Sequence, residues 1–339
     1  MKRCLELALL GAGKVAPNPM VGSVIVYNGK IIGEGFHRKY GDAHAEVNAI
    51  NAVKNHELLK ESTLFVTLEP CAHAGLTPPC SNLIIEKQIP KVIIGTVDPF
   101  AAVAGKGIEK LKKAGIQVEV GIMEKECREI NKRFFTFHEK NRPYIILKWA
   151  QTLNGFIDIE RTSENYGEPT WITGDLALRL VHKMRSEESA ILVGRKTAEK
   201  DNPSLSVRHL TGKNPLRIVI DNQLQLNENL KLFDSSEKTI IFNTIKNEER
   251  NNLSYIKIDS DKNAIPQILN ELYRQKILSV IVEGGKQLLE SFIELELWDE
   301  AHIFIGPKFF DSGIQAPKFK GKLIASERLE NDRLFIFVP

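Results

Sequence analysis

Long apolar runs and long runs of lysine or arginine are both missing from this sequence of 339 residues. No stretch approaches the roughly 18 to 20 apolar residues of a membrane-spanning helix, so no membrane partner is expected. The formal net charge of +3 is nearly balanced, which disfavours broad binding to a nucleic-acid backbone. We therefore expect no broad nucleic-acid interface, and a local basic patch is the alternative that stays open.

Cysteine is also scarce, with four residues in the chain. Cys4 and Cys127 have no motif around them and are expected to be small buried hydrophobic residues. Residues 1–10 superficially imitate a signal peptide, but Glu6 interrupts the apolar stretch, and a helix that packs one face inward explains it better. Because Cys71 and Cys80 belong to a motif that needs reduced thiolates, we expect a cytoplasmic protein.

The length suggests two domains, each with alternating strand and helix patterns. Charged, poorly periodic sequence at 138–143 indicates a linker, so the predicted domains are 1–142 and 143–339. In the first, Asn28-Gly29 predicts a hairpin turn, and Asp42 is a candidate cap for a helix starting near residue 43.

The second domain restarts the same pattern. A helix over 175–186 is expected, with Thr173 or Asp175 as its cap, followed by helices over 264–275 and 286–296. Strands are predicted at 145–149, 190–193, 217–220, 239–242, 278–282 and 334–338.

The strongest chemical signal is His44-Ala45-Glu46 followed by Pro70-Cys71 and then Cys80. One imidazole and two thiolates give zinc three protein ligands and leave the fourth tetrahedral position open, as in catalytic rather than structural zinc sites. Zinc lowers the pKa of a bound water to about 7. Glu46 can then take the proton of that water and return it to a leaving amine, the arrangement of the zinc deaminases.

The alternative is a structural zinc site, or two buried cysteines near a surface histidine. It is disfavoured because no fourth ligand stands at a matching spacing; His73 is so close to Cys71 that a supporting or substrate-facing role suits it better. His37 either lines the pocket or is a structural histidine. We expect the helices that carry the ligands to point their N-termini at the metal, which stabilises thiolate over thiol.

In the second domain, Val282-Glu283-Gly284-Gly285 brings a strand to the start of a helix. Glycines allow close backbone approach, and free N–H groups with the helix dipole favour an anion such as phosphate. A glycine turn that merely packs the helix on the sheet is an equally good explanation. The pattern is not the six-residue glycine fingerprint of a Rossmann domain.

These motifs resemble a known family. Pro17-Asn18-Pro19-Met20-Val21-Gly22, His44-Ala45-Glu46 and Thr67-Leu68-Glu69-Pro70-Cys71 closely resemble the bifunctional deaminase/reductase family of riboflavin biosynthesis. Thr77-Pro78-Pro79-Cys80 matches too, although Leu76 stands where that family usually has Lys or Arg. The resemblance implies a cytidine-deaminase-like α/β/α domain in which His44, Cys71 and Cys80 hold zinc, Glu46 shuttles protons, and Asn18 and His37 touch the substrate.

The resemblance extends over nearly the whole chain. Leu147-Lys148-Trp149-Ala150, Trp171-Ile172-Thr173-Gly174 and the segment from Ile191 to Arg208 are similar to the family's reductase half, with Asn154 replacing the usual Asp and Pro169 the usual Ser. This implies a dihydrofolate-reductase-like α/β domain that binds NADPH. The two implied reactions remove the 2-amino group of 2,5-diamino-6-(5-phosphoribosylamino)pyrimidin-4(3H)-one and then reduce its ribosyl chain to ribityl.

Carried over position by position, the resemblance assigns residues to the reductase site. Lys148 and Glu283 are candidates for handling protons during hydride transfer, and Arg185 can bind phosphate bidentately. His182, three residues before Arg185, shares its helix face, although a core role suits it better. The substrate is expected to meet Lys148, Arg185, Leu205, Arg208 and Glu283. The cofactor is expected to meet Ala150, Trp171, Thr197, Asp201, Asn222, Gly285, Lys286, Gln287, Leu288, Leu289, Glu290 and Ser291.

The family also implies a homo-oligomer formed through the reductase domain. Two other classes fit less well. A tRNA or nucleobase deaminase usually has Cys-x-x-Cys spacing and a basic groove, whereas Cys71 and Cys80 are separated by eight residues. A non-catalytic zinc module joined to a nucleotide-sensing domain has no use for Glu46.

Overall fold

The computed structural model describes residues 1–72, 78–100, 104–162 and 166–339. His73, Leu76 and Thr77 lie outside the described residues. The chain divides into two compact units, Met1–Asn141 and Arg142–Pro339. No helix in the described ranges combines the length and the apolar character needed to cross a membrane.

The first unit is built on a five-stranded sheet in the order β2-β1-β3-β4-β5. Strand β1 runs antiparallel to β2 and β3, whereas β3, β4 and β5 are parallel. The strands are β1 (Gly22–Tyr27), β2 (Lys30–Phe36), β3 (Thr63–Leu68), β4 (Lys91–Thr96) and β5 (Gln117–Val120). The helices are α1 (Lys2–Leu9), α2 (Ala45–Asn51), α3 (Cys80–Glu86), α4 (Lys106–Lys113), α5 (Glu124–Ile130) and α6 (Lys132–Lys140), with a 3-10 helix at His56–Glu61.

Side chains alternate between the two faces of the sheet along each strand, and the helices of this unit pack on both faces. Ile25 packs with residues of α2, α3 and α4, whereas its neighbour Val24 packs with Cys4 and Leu7 of α1. The predicted hairpin is confirmed: Asn28 and Gly29 both have positive φ, as a tight turn between twisted strands requires.

The second unit is built on a ten-stranded sheet in the order β11-β12-β10-β9-β8-β13-β6-β14-β17-β16. Neighbouring strands are parallel throughout the part of this order that runs β12-β10-β9-β8-β13-β6-β14. Strands β11, β17 and β16 run antiparallel to their neighbours. The strands of this sheet are β6 (Tyr144–Thr152), β8 (Ala190–Gly194), β9 (Leu216–Ile220), β10 (Thr239–Asn243), β11 (Glu248–Arg250), β12 (Leu253–Lys257), β13 (Ser279–Glu283), β14 (Glu300–Gly306), β16 (Lys322–Leu329) and β17 (Asp332–Val338). Strands β7 (Phe156–Asp158) and β15 (Ile314–Gln315) form a separate two-stranded antiparallel sheet. The helices are α7 (Asp175–Glu187), α8 (Arg195–Asp201), α9 (Ala264–Arg274) and α10 (Lys286–Glu294), with a 3-10 helix at Lys231–Phe233.

Helices cover both faces of this sheet. Ile145, Leu147 and Trp149 of β6 pack on the side of α9 and α10, whereas Tyr144 and Ile146 pack on the side of α7. Burial on both faces explains why the parallel strands are continuous runs of Val, Ile and Leu. The period of two also places Lys148, a charged residue within an apolar run, on the α7 side of the sheet.

The helix caps differ from the sequence expectation. Asp42 does not cap α2, because His44 itself is the residue before the first turn. Helix α7 is preceded by Gly174, whose N–H donates to the carboxylate of Asp332 from the far end of the domain, at 2.7 Å. The predicted linker also begins too early, since α6 continues to Lys140.

Arg217 is a buried anchor of the second unit, with 1% of its surface exposed. Its guanidinium donates to Thr239 Oγ1 at 2.8 Å, to Asp234 Oδ1 at 3.0 Å and to the carbonyls of Lys231 and Glu237 at 3.2 and 2.7 Å. The arginine therefore ties the segment 231–239 to β9.

Replacing Arg217 by Met should lower the free energy of unfolding by about 2–5 kcal/mol, because it leaves buried acceptors without donors. Denaturant unfolding followed by circular dichroism measures the loss. Arg274→Met, which removes an exposed ion pair with Glu271, is the matched control. Equal stability of the two variants would contradict the anchoring role.

Candidate active sites

Three predicted ligands meet in the first unit. His44 immediately precedes α2, Cys71 follows the end of β3, and Cys80 is the first residue of α3. Their ligand atoms all lie within 4.8 Å of one another. His44 Nδ1 is 3.6 Å from Cys71 Sγ and 3.3 Å from Cys80 Sγ. Residues separated in sequence are thus brought together by the starts of two helices and the end of a strand.

This geometry fits zinc. Tetrahedral zinc with Zn–S of about 2.3 Å and Zn–N of about 2.0–2.1 Å requires N···S distances of about 3.5 Å. The two distances found lie on either side of that value. Within the described ranges, the group has these three members and no fourth His, Cys, Asp or Glu. The described donors are those of a zinc site with one imidazole and two thiolate ligands.

The two thiols form a polarised pair. A hydrogen bond from Cys80 and one to His44 together lower the pKa of the Cys71 thiol to about 4, although burial opposes them. The backbone N–H of Cys80, at the start of α3, also donates to Cys71 Sγ, at 3.3 Å. The start of this helix therefore adds to the stabilisation of a thiolate at Cys71. The same hydrogen bond and burial raise the pKa of Cys80, so metal binding there must displace a proton.

Glu46 lies in the first turn of α2, with 3% of its surface exposed, and is not a member of the ligand group. Burial raises the pKa of its carboxyl to about 7; the charge of Cys71 raises it too, and His44 opposes them. A group that must accept and return a proton near neutral pH works best with such a pKa.

His37 and Asn18 form a supporting pair. His37 Nδ1 lies 3.2 Å from the carbonyl of Ala43, so this nitrogen donates and Nε2 accepts from Asn18 Nδ2, at 3.1 Å. The ring of His37 is 2% exposed and meets the ring of His44 edge-on, with centroids 5.4 Å apart. His37 therefore orients Asn18, which is the more exposed member of the pair.

Sequence reasoning quoted Glu69 as part of a motif but gave it no role. Its buried carboxylate accepts four backbone N–H groups, from Asp98, Gly105, Gly107 and Ile108, at 3.3, 2.9, 2.8 and 3.2 Å. Glu69 lies two residues before Cys71. It therefore holds both the segment after β4 and the start of α4 against this part of the chain. In the sequence, the only sign of this role of Glu69 was its position between a predicted strand and a proline.

Asp98 was also missed. Its half-buried carboxyl accepts the N–H of Phe100, and burial raises its pKa to about 6, with smaller contributions from the charges of Glu69 and Cys71. Because the charge of Cys71 acts on its carboxyl, Asp98 is a further polar residue near the ligand group.

The reductase half contains a cleft of about 1140 Å³ at the ends of the parallel strands. Every residue predicted to contact substrate or cofactor in this half lines the cleft except Leu289. Leu289 is fully buried in the core beneath α10, and its N–H faces the Gly285 carbonyl within the helix. The helix turns the Leu289 side chain inward, so the predicted cofactor contact of this residue stays a prediction that only its backbone could fulfil.

The glycine pair has the expected position. Gly285 immediately precedes α10, and its N–H donates to Thr197 Oγ1 at 3.0 Å. This bond joins two of the predicted cofactor residues and sets the start of α10 against the start of α8. The next N–H groups, those of Lys286 and Gln287, begin the helix at the wall of the cleft, where an anion is favoured.

Three buried charges occupy the floor of the cleft. Lys148 of β6 is paired in register with Glu283 of β13, and its Nζ lies 4.0 Å from Glu283 Oε2. Arg185 donates to both carboxylate oxygens of Glu283, at 3.1 and 2.8 Å. Burial lowers the pKa of Lys148. Although burial opposes it, the charges of Arg185 and Lys148 lower the pKa of Glu283 to about 2.

This arrangement differs from the predicted use of Arg185. Two of its nitrogens are bound to Glu283, and Nη1 is 3.4 Å from the Ser206 carbonyl. Bidentate binding of a phosphate through Nε and Nη2 would have to break the contacts to Glu283. In the structure Arg185 holds Glu283 and the loop that contains Leu205 and Arg208.

That loop is also held by His182. His182 is fully buried, and its Nδ1 accepts the backbone N–H of Arg208 at 3.2 Å. Leu205 is buried with a φ of 52°, a left-handed conformation that a branched residue adopts only when its surroundings enforce it. The side chain of Arg208 remains exposed at the edge of the cleft.

Comparisons with known proteins agree with both halves. The model of the cytidine and deoxycytidylate deaminase zinc-binding region matches residues 1–96, and that of the RibD C-terminal domain matches residues 143–332. The riboflavin biosynthesis protein RibD of Aquifex aeolicus is 41% identical over 320 residues, which cover 93% of this chain and 88% of that protein. RibD of Synechocystis is 38% identical over 329 residues, with 95% and 87% covered.

Solved structures give the same result. The diaminohydroxyphosphoribosylaminopyrimidine deaminase/5-amino-6-(5-phosphoribosylamino)uracil reductase of Thermotoga maritima is 38% identical, with a TM-score of 0.90 over 100% of this chain and 97% of that chain. Acinetobacter baumannii RibD is 32% identical, with a TM-score of 0.90 and the same coverage.

The fold and the two sites define a bifunctional enzyme, a zinc-dependent deaminase joined to a reductase. The chain belongs to the RibD family of riboflavin biosynthesis. The predicted fold class, the two activities and the cofactors of the two domains, zinc and NADPH, are therefore confirmed.

Glu69→Ala should lower the free energy of unfolding by about 2–4 kcal/mol, because several backbone N–H groups lose their acceptor. It should also speed the loss of zinc on dialysis, since Glu69 precedes Cys71. Elemental analysis and denaturant unfolding measure the two effects. Glu109→Ala, which removes an exposed ion pair within α4, is the control. A variant as stable and as zinc-rich as this control would refute the role given to Glu69.

Proposed function

We propose that His44, Cys71 and Cys80 hold the zinc of the deaminase and that Glu46 is its proton shuttle. Bound zinc supplies a water that ionises near neutral pH. Glu46 takes the proton of the attacking water and delivers it to the amino group that leaves C2 of the diaminopyrimidine. The observation that carries this assignment is a buried carboxylate that lies beside a three-ligand group without belonging to it.

Asn18 and His37 complete the deaminase site in this proposal. His37 fixes the amide of Asn18 through the bond between Nε2 and Nδ2. The Asn18 amide oxygen is thereby turned away from His37 and can accept a hydrogen bond from the pyrimidine. A neutral pyrimidine with several N–H groups is well recognised by such an acceptor.

In the reductase site, Lys148 is the proposed proton donor. Bound NADPH would supply the hydride, and Lys148 would give a proton to the nitrogen of the ring-opened ribosyl imine as C1′ is reduced. A buried lysine of lowered pKa gives up a proton more readily than an ordinary one. Glu283 stays ionised and holds Lys148 in place, and Arg185 in turn holds Glu283.

The remaining assignments concern the ligands of the cleft. Ala150, Trp171, Thr197, Asp201, Asn222 and the first turns of α10 line the cleft and are the proposed cofactor contacts. Leu205 and Arg208 present the loop held by His182 to the substrate, and the exposed guanidinium of Arg208 is the proposed partner of its phosphate.

We also propose a homo-oligomer formed through the reductase domain and a cytoplasmic location. Strand β16 is the free edge of the ten-stranded sheet and exposes Leu323 and Ile324, a surface suited to a second copy. All four cysteines are free, and two of them must stay reduced to bind zinc, as a reducing compartment ensures.

Glu46→Gln should retain zinc but reduce ammonia release by about 10²- to 10⁴-fold, because the amide cannot accept the proton of water. NADPH oxidation with the deaminated substrate should stay at the native rate. Zinc content, ammonia and nicotinamide absorbance are measured on the same sample. Glu57→Gln, an exposed residue of the same unit, is the control. Native ammonia release by the zinc-loaded variant would exclude Glu46 as the shuttle.

Arg208→Ala should raise the KM for the phosphorylated substrate in the reduction step by about 10- to 100-fold, as expected for the loss of a charge-assisted contact. Deamination should not change. Steady-state kinetics of each half-reaction, with Arg274→Ala as the control, provide the measurement. An equal loss of both activities would show that Arg208 does not act at a separate reductase site.

A further inference from the structure

Arg161 is a buried cation that neither the motifs nor the comparisons assign. It follows β7, and only 4% of its side chain is exposed. Its Nε donates to Asp158 Oδ1 at 2.9 Å, and its Nη1 lies 2.9 Å from Asp201 Oδ1. Nη1 also donates to the carbonyls of Glu168 and Lys200, at 2.7 and 3.3 Å.

These partners come from two separate walls of the reductase cleft. Asp158 and Glu168 belong to the segment between β7 and α7, whereas Lys200 and Asp201 end α8. Asp158, Arg161, Lys200 and Asp201 all line the cleft.

Two further hydrogen bonds strengthen the same junction. The N–H of Gly167 donates to the Lys200 carbonyl at 2.7 Å, and Thr170 donates to Asp158 Oδ1 at 2.7 Å. Arg161 is thus the centre of a junction that joins residues 158–162 and 166–170 to the end of α8.

The charges at this junction affect how strongly the cleft binds an anionic ligand. Two carboxylates, Asp158 and Asp201, face a cleft that must accept the phosphates of a dinucleotide. With Arg161 between them, much of their negative charge is neutralised locally. Without it, two poorly solvated carboxylates would repel the ligand and each other.

We infer that Arg161 is a positioning residue for the nicotinamide dinucleotide. It clamps residues 158–162 and 166–170 against α8, fixes the carboxylate of Asp201 at the cleft, and removes the repulsion that Asp158 and Asp201 would exert on the cofactor phosphates. The inference rests on the proposed function, in which this cleft holds the cofactor. Arg161 itself need not touch the cofactor.

The test is direct binding of NADPH to the full chain, followed by quenching of tryptophan fluorescence, since Trp171 lines the same cleft. Arg161→Ala should raise the Kd for NADPH at least tenfold. Arg161→Lys should lie between it and the native protein, because lysine restores the charge but not the planar fork. Deamination should be unchanged in both variants, and Arg274→Ala should bind NADPH as the native protein does.

A second variant distinguishes a loss of affinity caused by unpaired charges from one caused by lost packing. Adding Asp158→Asn to Arg161→Ala removes one of the unpaired carboxylates, so the double variant should recover at least threefold of the lost affinity. Asparagine keeps an oxygen that can accept from Thr170. A simple loss of packing would show no such recovery.

The outcomes are distinct. An unchanged Kd in Arg161→Ala would overturn the inference and leave the proposed function intact. A raised Kd that neither Arg161→Lys nor Asp158→Asn improves would also overturn it, since the defect would then be general unfolding of the wall. Failure of the native protein to bind NADPH would instead refute the proposed function of the cleft.

Discussion

The meeting of His44 Nδ1 with the sulfurs of Cys71 and Cys80 is the constraint on which the deaminase half depends. His44 immediately precedes α2, Cys80 is the first residue of α3, and Cys71 lies in the loop after β3, so small errors in these elements would separate the three atoms. The buried carboxylate of Glu69 holds the backbone beside Cys71, and His37 packs edge-on against His44. The ligand group is therefore supported by residues that never touch the metal, as metal sites generally require.

The reductase half uses buried charge differently. No described residue of that half joins a metal-ligand group; instead Arg185, Glu283 and Lys148 form a chain of ion pairs beneath the cleft. Such a chain contributes little net stability, because desolvation offsets attraction. The chain of ion pairs instead fixes the geometry of the site, because Lys148 and Arg185 hold the carboxylate of Glu283 from two sides. Burial lowers the pKa of Lys148 toward the range that is useful for proton transfer.

Short-range patterns were readable from the sequence, and long-range contacts were not. The zinc ligands, Glu46, the Asn28-Gly29 turn and the core helices and strands follow from spacing, turn chemistry and period. The bond from Gly174 to Asp332, the four bonds to Glu69 and the clamp of Arg161 join residues far apart in the chain or in loops without period. Leu289 shows the same limit, since a run of helix residues does not reveal which of them turns inward.

Zinc K-edge X-ray absorption on the purified, substrate-free protein reports which atoms surround the metal of the deaminase site. We expect one zinc per chain with two sulfur neighbours at about 2.3 Å and two nitrogen or oxygen neighbours at about 2.0–2.1 Å, a single imidazole among them. A chain that binds no zinc, or a zinc whose fourth position is filled by a second imidazole, would contradict a catalytic site with one position open to water.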